Sequence, residues 1–390
     1  MNIHFSHDDK FLDGFIRNAE KFSATKNVYV VFSDDGTVKF TKSGLIHILP
    51  YSTMAVEEFL SRFDGIKRIF FHALTPFYGT CVDRMNLDAR FTLVWLFFGF
   101  EVFDLKENAE RIFLGNTRKL LAYTGDKPKQ HLGINPFRIL NSYKELQQRS
   151  REQIQHDFAI KALIQKVHYV GHFSDEDVSA YIRPLNPGIR HVTWNYFSEA
   201  NMTTDAMFER KEGGDTLRIL LGNSAAASNN HLDALQYLHH KLKKPRQAQV
   251  IVPLSYGGSA RYLEKVVATG RKLFGNQFMP LIDFMDKNAY YAMLHSIDVG
   301  IFYSVRPQAA GNINWFLGNN KPVVLLKENT LFHFYKRKGF DVLDTESFDA
   351  SLSKDASNTN NTRNVEIMNK EFGEHVTGSR YRMILEIENT

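Results

Sequence analysis

The chain has 390 residues, 43% of them hydrophobic, and its 48 basic and 43 acidic side chains give a formal net charge of +5. The length suits two domains, and 32 Phe and 16 Tyr residues exclude a disordered chain because they are ample for packed cores. A single cysteine, Cys81, excludes an internal disulfide and a cysteine-based zinc site, and the small charge excess is no nucleic-acid signature.

Strands and helices alternate in the first half of the sequence. Apolar runs predict strands at 2–6, 28–33, 45–49, 68–72 and 91–97, with helices at 11–22 and 54–62. Charged helices are expected over 137–161, a strand at 167–170 and a helix opening at 174–177, and residues 183–188 are expected to break regular structure. Continuous apolar strands are typical of a parallel sheet covered on both faces. We therefore predict an α/β domain over 1–198.

The second half repeats the alternation more regularly after a polar linker predicted over 199–216. Strands are expected at 217–221, 248–252, 278–281, 299–303 and 322–326, and helices at 231–242, 260–273, 287–296 and 311–317. This pattern predicts a doubly wound α/β domain over 217–350. Residues 351–390 are expected to form a polar linker and a closing helix over 365–388.

Residues 217–235 form the most informative stretch, a buried strand followed by small residues, hydroxyls and the start of a helix. A helix N-terminus after a strand suits a phosphate, because backbone N–H groups and the positive end of the helix dipole point at it. Gly222 lets the backbone approach a ligand, and Asn223 and Ser224 can donate further hydrogen bonds. The alternative is a plain strand-to-helix turn capped by Asn229 or Asn230.

The N-terminal residues show no basic segment followed by an apolar one, so no signal peptide is expected. The longest apolar run, 91–103, contains a Thr, a Gly and a Glu and is short of the roughly 20 residues that span a bilayer. These features predict a cytoplasmic or peripheral protein.

Four segments of the second half carry a family resemblance. They are Leu221-Gly-Asn-Ser224 with Asn230-His231, then 251–257, then 298–303 followed by 306–312, and finally 322–329. In this order the chain resembles the TDP-N-acetylfucosamine:lipid II N-acetylfucosaminyltransferases, which act in enterobacterial common antigen assembly. Residues 69–72 and 95–101 are more weakly similar. The family commonly has Trp-Gly-Ala-Asp at 98–101 and Arg-Gln-Gln-Gly-Ile-Gly from 306, and these departures leave the transferred sugar open.

The resemblance implies a GT-B glycosyltransferase, with two Rossmann-like doubly wound domains facing a cleft and a C-terminal helix. It implies a nucleoside-diphosphate sugar, TDP- or UDP-linked, bound by the C-terminal domain. The N-terminal domain would bind an acceptor sugar on a polyprenyl diphosphate at the cytoplasmic membrane face. No cofactor or metal is expected, because GT-B enzymes generally use helix dipoles and basic side chains instead. Nucleic acid is not an expected partner.

For the donor we expect the diphosphate at Gly222, Asn223 and Ser224, with Arg306 as the cation at a strand end. Further donor-site candidates shape the same loop, meet the base or sugar, or bind the ribose: Gln308, Asn312, Ser255, Tyr256, Glu328 and Asn329. The alternatives are a surface arginine, an ordinary loop aromatic, a solvated carboxylate and helix caps.

The candidate general bases all lie near strand ends in the first half. Glu101 is preferred because it follows Gly99 and matches an acidic position of the family, and Asp104 and Asp8 are the other candidates. His72 and Asp9 are further candidates, although histidines such as His4, His7 and His72 are more often structural than catalytic. A soluble glycan or protein acceptor, or nucleotide-sugar binding without transfer, are the alternative functions.

Overall fold

A computed structural model describes residues 1–9, 11–109, 111–124, 136–196, 216–242, 248–349 and 362–387, with side chains undescribed over 122–150 and at 287. The chain forms two compact units. The first comprises Met1–Lys106, Gln148–Glu199 and Phe372–Thr390, and the second comprises Glu107–Gln147 and Ala200–Glu371. The linker predicted over 199–216 lies outside the described residues except for its last position, and so does most of the polar segment predicted from 351.

The first unit is built on a seven-stranded parallel sheet with the order β3-β2-β1-β4-β5-β6-β7. Its strands are β1 (Asn2–His7), β2 (Asn27–Phe32), β3 (Ile46–Leu49), β4 (Arg68–His72), β5 (Thr92–Leu96), β6 (Tyr169–His172) and β7 (Arg190–Thr193). The helices described before residue 125 are α1 (Leu12–Phe22), α2 (Thr53–Ser61), α3 (Pro76–Met85), α4 (Leu87–Arg90), α5 (Phe100–Phe103), α6 (Lys106–Ala109) and α7 (Gly115–Thr124). They are followed by α8 (Pro136–Lys166), α9 (Asp175–Asp177) and a π-helical turn at Val178–Ile182.

The core of this unit forms because its central strands, β1, β2, β4 and β5, are buried along nearly their whole length. Phe15 and Ile16 of α1 pack on one face of the sheet together with Tyr381 and Ile384 from the C-terminal end of the chain. Gly171 in β6 is required by this packing, since a Cβ there would lie 2.3 Å from the Ile384 side chain. The last helix of the chain therefore packs into the core of the first unit.

The second unit has a six-stranded parallel sheet with the order β10-β9-β8-β11-β12-β13. The strands are β8 (Leu217–Leu221), β9 (Ala248–Pro253), β10 (Phe278–Leu281), β11 (Val299–Phe302), β12 (Val323–Leu325) and β13 (Leu343–Asp344). Its later helices are α10 (His231–Lys241), α11 (Ala260–Phe274), α12 (Lys287–His295), α13 (Ala310–Gly318), α14 (Thr330–Arg337) and α15 (Arg363–Phe372), and the last helix of the chain, α16 (Glu374–Leu385), belongs to the first unit.

Each sheet reverses its strand order once, and this reversal locates the ligand-binding edge of a doubly wound sheet. In the first unit the reversal lies between β1 and β4, whose carboxyl ends are His7 and His72. In the second unit it lies between β8 and β11, which end at Leu221 and Phe302.

The predicted fold class, two doubly wound α/β domains with a C-terminal helix, is confirmed. Several details differ, among them the helices α5, α6 and α7, which were not predicted. The terminal helix expected over 365–388 is two helices separated by Gly373, and neither α14 nor the two-residue strand β13 was expected. Short elements such as β13 carry too few residues to show a period. No helix in the described ranges is long and apolar enough to cross a membrane.

Candidate functional site

The turn between β8 and α10 comes so close to its neighbours that its first residue must be glycine. Gly222 has a φ of +73°, and a Cβ there would lie 2.9 Å from Asn229 Oδ1 and 3.2 Å from His231 Nε2. The chain then passes through a 3₁₀ turn at Ala227–Asn229 before α10 begins. A bare backbone therefore faces a fully buried histidine.

Two asparagine amides hold this turn in shape. Asn229 Nδ2 donates to the Ser224 carbonyl at 3.0 Å, and its Oδ1 accepts from the Asn223 N–H at 3.3 Å. Asn230 Nδ2 donates to the Tyr303 carbonyl at 3.3 Å, which links the turn to the end of β11. Asn230 is the N-cap residue of α10, but its side chain makes no capping hydrogen bond. The asparagines thus shape the loop instead of closing the helix end.

The segment after β11 is tied to the same turn through Gln308. Its Oε1 accepts from Arg306 Nε at 2.9 Å and from Ser228 Oγ at 2.8 Å. Asn329 Nδ2 donates to the carbonyls of Ser304 at 2.9 Å and Arg306 at 3.1 Å. Because β8 and β11 are adjacent, the turn at 222–224 and the segment at 306–308 meet at the reversal of the second sheet.

The remaining donor candidates are distributed around this corner. Tyr256 follows β9, is 52% exposed, and its phenol hydrogen-bonds the Asn223 side chain, while its carbonyl accepts from the Ala225 N–H at 2.7 Å. Ser255 precedes it and is half-buried.

Three further donor candidates lie on later elements. Asn312 lies on α13 and donates to the Tyr290 phenol at 2.9 Å. Glu328 is exposed after β12, and Asn329 caps α14 by accepting from the Leu331 N–H at 2.9 Å.

Several polar atoms in this corner are buried without a hydrogen-bond partner among the described residues. They are His231 Nε2, Gln308 Nε2 and Asn223 Oδ1. Burial lowers the pKa of His231 to about 3, so its ring is neutral at physiological pH. Unsatisfied buried polar groups are costly, and a cluster of them is typical of a place where a ligand completes the hydrogen bonds.

In the first unit, Glu101 holds a turn together from the inside. It is 1% exposed and accepts from Trp95 Nε1 at 2.9 Å, from the Phe98 N–H at 3.2 Å and from the Gly99 N–H at 2.7 Å. Burial raises the pKa of Glu101 to about 7, against the opposing effect of these hydrogen bonds. The carboxylate therefore fixes the turn that presents Phe98 and Phe100.

Asp8 and Asp104 occupy different surroundings. The Asp8 carboxylate accepts from the N–H groups of Lys39 at 2.5 Å, Phe40 at 3.0 Å and Thr41 at 2.8 Å, and from the Thr41 hydroxyl at 2.9 Å. Partial burial acts to raise its pKa, but these hydrogen bonds outweigh it and lower the pKa. Asp104 follows α5 and is exposed, with its carbonyl accepting from Gln153 Nε2 at 3.3 Å.

A histidine–aspartate pair at the end of β1 was not predicted, because nothing in the sequence distinguishes His7 from the other histidines. His7 Nε2 lies 3.8 Å from Asp9 Oδ2, and both side chains are partly exposed. The rings of Phe98 and Phe100 lie 6.3 and 6.5 Å from the His7 ring. The pair lies at the reversal of the first sheet, a position that strand order alone reveals.

A chain of buried hydrogen bonds runs beside this edge. Asn27 Oδ1 accepts from Asn2 Nδ2, and its own amide nitrogen donates to a backbone carbonyl, so His4 Nε2 must donate to Asn27 Oδ1 at 3.2 Å. His4 Nδ1 is then the acceptor for His72 Nε2–H at 3.2 Å. His72 Nδ1 in turn accepts from the Tyr196 hydroxyl at 2.8 Å. Both imidazoles are neutral, because burial lowers the pKa of His4 to about 3 and that of His72 well below its usual value.

Comparison with known proteins identifies the class of enzyme. The family model described as "4-alpha-L-fucosyltransferase glycosyl transferase group 56" matches residues 175–368. The chain is a glycosyltransferase that is similar to this family. The match confirms the expected resemblance to a glycosyltransferase family, and all four sequence segments that carry it lie within the matched range.

Solved structures similar to this glycosyltransferase cover nearly the whole chain. The N-terminal domain of a Candida albicans trehalose-6-phosphate phosphatase has a TM-score of 0.62 at 10% identity, covering 98% of this chain and 95% of its own. An α,α-trehalose-phosphate synthase (UDP-forming) from Burkholderia vietnamiensis gives 0.60 at 10% identity, with 99% and 98% covered. Anabaena Alr3699/HepE, in complex with UDP and glucose, gives 0.57 at 11% identity, with 98% and 96% covered. These likenesses show that the glycosyltransferase has the GT-B fold.

Proposed function

We propose that this glycosyltransferase takes its sugar from a nucleoside-diphosphate donor bound by the second unit, with TDP or UDP as the nucleotide. The observation that carries the proposal is the meeting of the Gly222 turn with the Arg306–Gln308 segment at the reversal of the second sheet. A guanidinium there suits phosphate oxygens, and it would offset the charge that develops on the leaving diphosphate. A similar structure contains UDP and glucose, and the family resemblance suggests TDP.

The other donor candidates receive supporting roles. Asn223 and Ser224 belong to the turn, Tyr256 offers an exposed ring to the nucleotide base, and Gln308 orients Arg306. Ser255 and Asn312 would border the sugar. Glu328 would bind the ribose hydroxyls, and Asn329 holds the segment that carries Arg306.

For the acceptor we propose the carboxyl edge of the first sheet. Phe98, Phe100 and Tyr196 lie together there, and aromatic rings of this kind bind the apolar face of a sugar. Glu101, Asp104 and Asp8 remain candidates for the base. We favour His7, because it is partly exposed and paired with Asp9, whereas Glu101 is buried and the Asp8 carboxylate accepts four hydrogen bonds.

A lipid-linked saccharide in bacterial surface polysaccharide assembly is the acceptor we propose, reached at the cytoplasmic face of the membrane. Support comes from a run of exposed apolar side chains in the first unit, accompanied by exposed lysines at 39 and 42. These residues are Phe40, Leu45, Ile48, Tyr51 and Met54. Apolar and basic side chains together suit an anionic lipid surface. A soluble glycan or protein acceptor is the alternative.

The donor proposal is tested by isothermal titration of UDP, TDP and GDP into wild type, Arg306→Ala and the exposed-residue control Arg271→Ala. Loss of a charged hydrogen bond to phosphate should weaken UDP or TDP binding roughly 10- to 100-fold in Arg306→Ala. Arg271→Ala should bind as wild type does. Equal affinity of all three proteins, or no binding by any, would refute the donor site.

The acceptor proposal is tested by turnover with detergent-dispersed lipid-linked saccharide and with its soluble headgroup. Activity on the lipid-linked form alone supports the proposal, and equal activity on both favours the alternative. His7→Gln should lower kcat while leaving the Kd for UDP unchanged, with the exposed His240→Gln as the control. An unchanged kcat would remove His7 as the base and return the choice to Glu101, Asp104 and Asp8.

A further inference from the structure

His231 is the first residue of α10 and is fully buried, yet it makes only one side-chain hydrogen bond among the described residues. Its Nδ1 lies 3.1 Å from the Tyr262 hydroxyl, and the same hydroxyl lies 3.3 Å from the His231 backbone nitrogen. Its Nε2 has no partner in the part of the chain that the structure describes. A helix N-terminus alone would not indicate a ligand, but a buried, unpartnered nitrogen beside it does.

The Tyr262 hydroxyl contacts both His231 Nδ1 and the Thr117 side chain, and donation to His231 is the arrangement adopted here. The backbone N–H of His231 can only donate, so the phenol oxygen accepts from it. The phenol keeps its proton because burial raises the pKa of Tyr262. Donation of that proton to Nδ1 satisfies both groups, and it leaves the single proton of the neutral imidazole on Nε2.

The protonated Nε2 faces the turn at Gly222. A Cβ on Gly222 would lie 3.2 Å from this nitrogen, so only a glycine leaves the approach open. Gln308 supplies a second buried donor, since its Oε1 is used by Arg306 and Ser228 and its Nε2 has no partner among the described residues. Two of the three buried atoms in this corner that lack a partner in the described part of the chain are therefore N–H donors, and each of these two needs an acceptor.

We propose that His231 donates from Nε2 to a phosphate oxygen of the nucleoside diphosphate, with Gln308 as a second neutral donor, and that Tyr262 is a positioning residue that fixes the His231 tautomer. This inference rests on the proposed donor site and adds to it two neutral hydrogen-bond donors beside the Arg306 cation. A phosphate fits because its oxygens accept several hydrogen bonds and carry the charge that strengthens them.

The test uses UDP titrated calorimetrically into the full chain at pH 7. His231→Phe removes the donor and keeps a ring of similar size, whereas His231→Gln retains an amide N–H near the position of Nε2. We expect UDP to bind about tenfold or more weakly to His231→Phe and within a few-fold of wild type to His231→Gln. Tyr262→Phe should fall between them, and His240→Gln is the matched surface control.

A second measurement does not depend on any substitution. The ¹⁵N shifts of the His231 ring in the wild type should show a neutral imidazole protonated at Nε2, and the Nε2 signal should move when UDP is added. Wild-type affinity for UDP in His231→Phe, or loss of UDP affinity in both His231 variants, would overturn the inference. The donor site itself is tested separately by Arg306→Ala. A ring protonated at Nδ1 would overturn it as well.

Discussion

Lowering the pH from 7 to 5 should destabilise the first unit through His4. This side chain is fully buried, and burial lowers its pKa to about 3, whereas an unfolded histidine titrates near about 6.5. Below pH 6.5 the unfolded chain therefore binds a proton at His4 that the folded chain does not bind. The free energy of unfolding is therefore highest above the unfolded pKa and falls as the pH drops. At pH 5 this one histidine lowers it by about 2 kcal/mol relative to pH 7.

The measurement is urea unfolding at pH 7 and pH 5, followed by tryptophan fluorescence. His4→Gln is the informative variant, because an amide can donate to Asn27 and accept from His72 without titrating. We expect the loss of stability between the two pH values to be about 2 kcal/mol smaller in His4→Gln than in wild type. His240→Gln, at an exposed position, should show the wild-type loss.

The comparison is a difference of differences, so carboxylates that titrate in both proteins cancel. An equal loss of stability in wild type and His4→Gln would refute the reasoning, since it would mean that His4 is protonated in the folded state or neutral in both states. If His4→Gln is already much less stable than wild type at pH 7, the amide does not replace the hydrogen bonds of the imidazole. The ¹⁵N titration of His4 in wild type would then show directly whether the folded protein keeps this ring neutral at pH 5.

Three further predictions concern single residues in the two candidate sites. Gly222→Ala should lower the free energy of unfolding by about 1–3 kcal/mol and weaken UDP binding, because its Cβ meets Asn229 at a positive φ; a wild-type melting temperature would contradict this. Asp8→Asn should cost about 1–2 kcal/mol in urea unfolding at pH 7, and the gap from wild type should close in acid, where the wild-type carboxylate is protonated; a constant gap would contradict this. The protonated Glu101 side chain contributes stability below pH 4.5 that is lost as the pH rises through about 7. The free energy of unfolding of Glu101→Gln should therefore rise by about 3 kcal/mol relative to that of wild type between pH 4.5 and pH 8. Parallel pH profiles of the two proteins would show that the pKa of Glu101 is not raised.

The sequence predicted the strands and helices of the second unit closely, because its apolar runs alternate with helical segments at regular intervals. The turn at Gly222 was also identified from its residues, since a strand, a glycine, small polar residues and a helix start are all local signals. The terminal helix was predicted less accurately. Gly373 divides it, and one glycine in a helical pattern does not show by itself whether the helix ends there.

The roles of individual polar residues depend on how deeply their side chains are buried. The residues next to them in the sequence do not show this burial. Glu101 was expected as an accessible base, and in the structure it is buried with three hydrogen-bond donors around it. His7 was treated as structural and lies partly exposed beside Asp9. In the sequence, His231 is only the start of a predicted helix, and the tautomer proposed for it depends on Tyr262, which lies 31 residues away in the chain.

What the sequence determined by itself was therefore the local structure: which segments form strands and helices, and where a glycine-containing turn connects a strand to a helix. Periodicity and turn chemistry act over a few residues, so they can be read from the chain directly. The tertiary structure alone decided which strand ends meet, which carboxylates and imidazoles lose their water, and which ring nitrogen keeps its proton. These properties come from packing between segments distant in sequence, where β8 meets β11 and β1 meets β4.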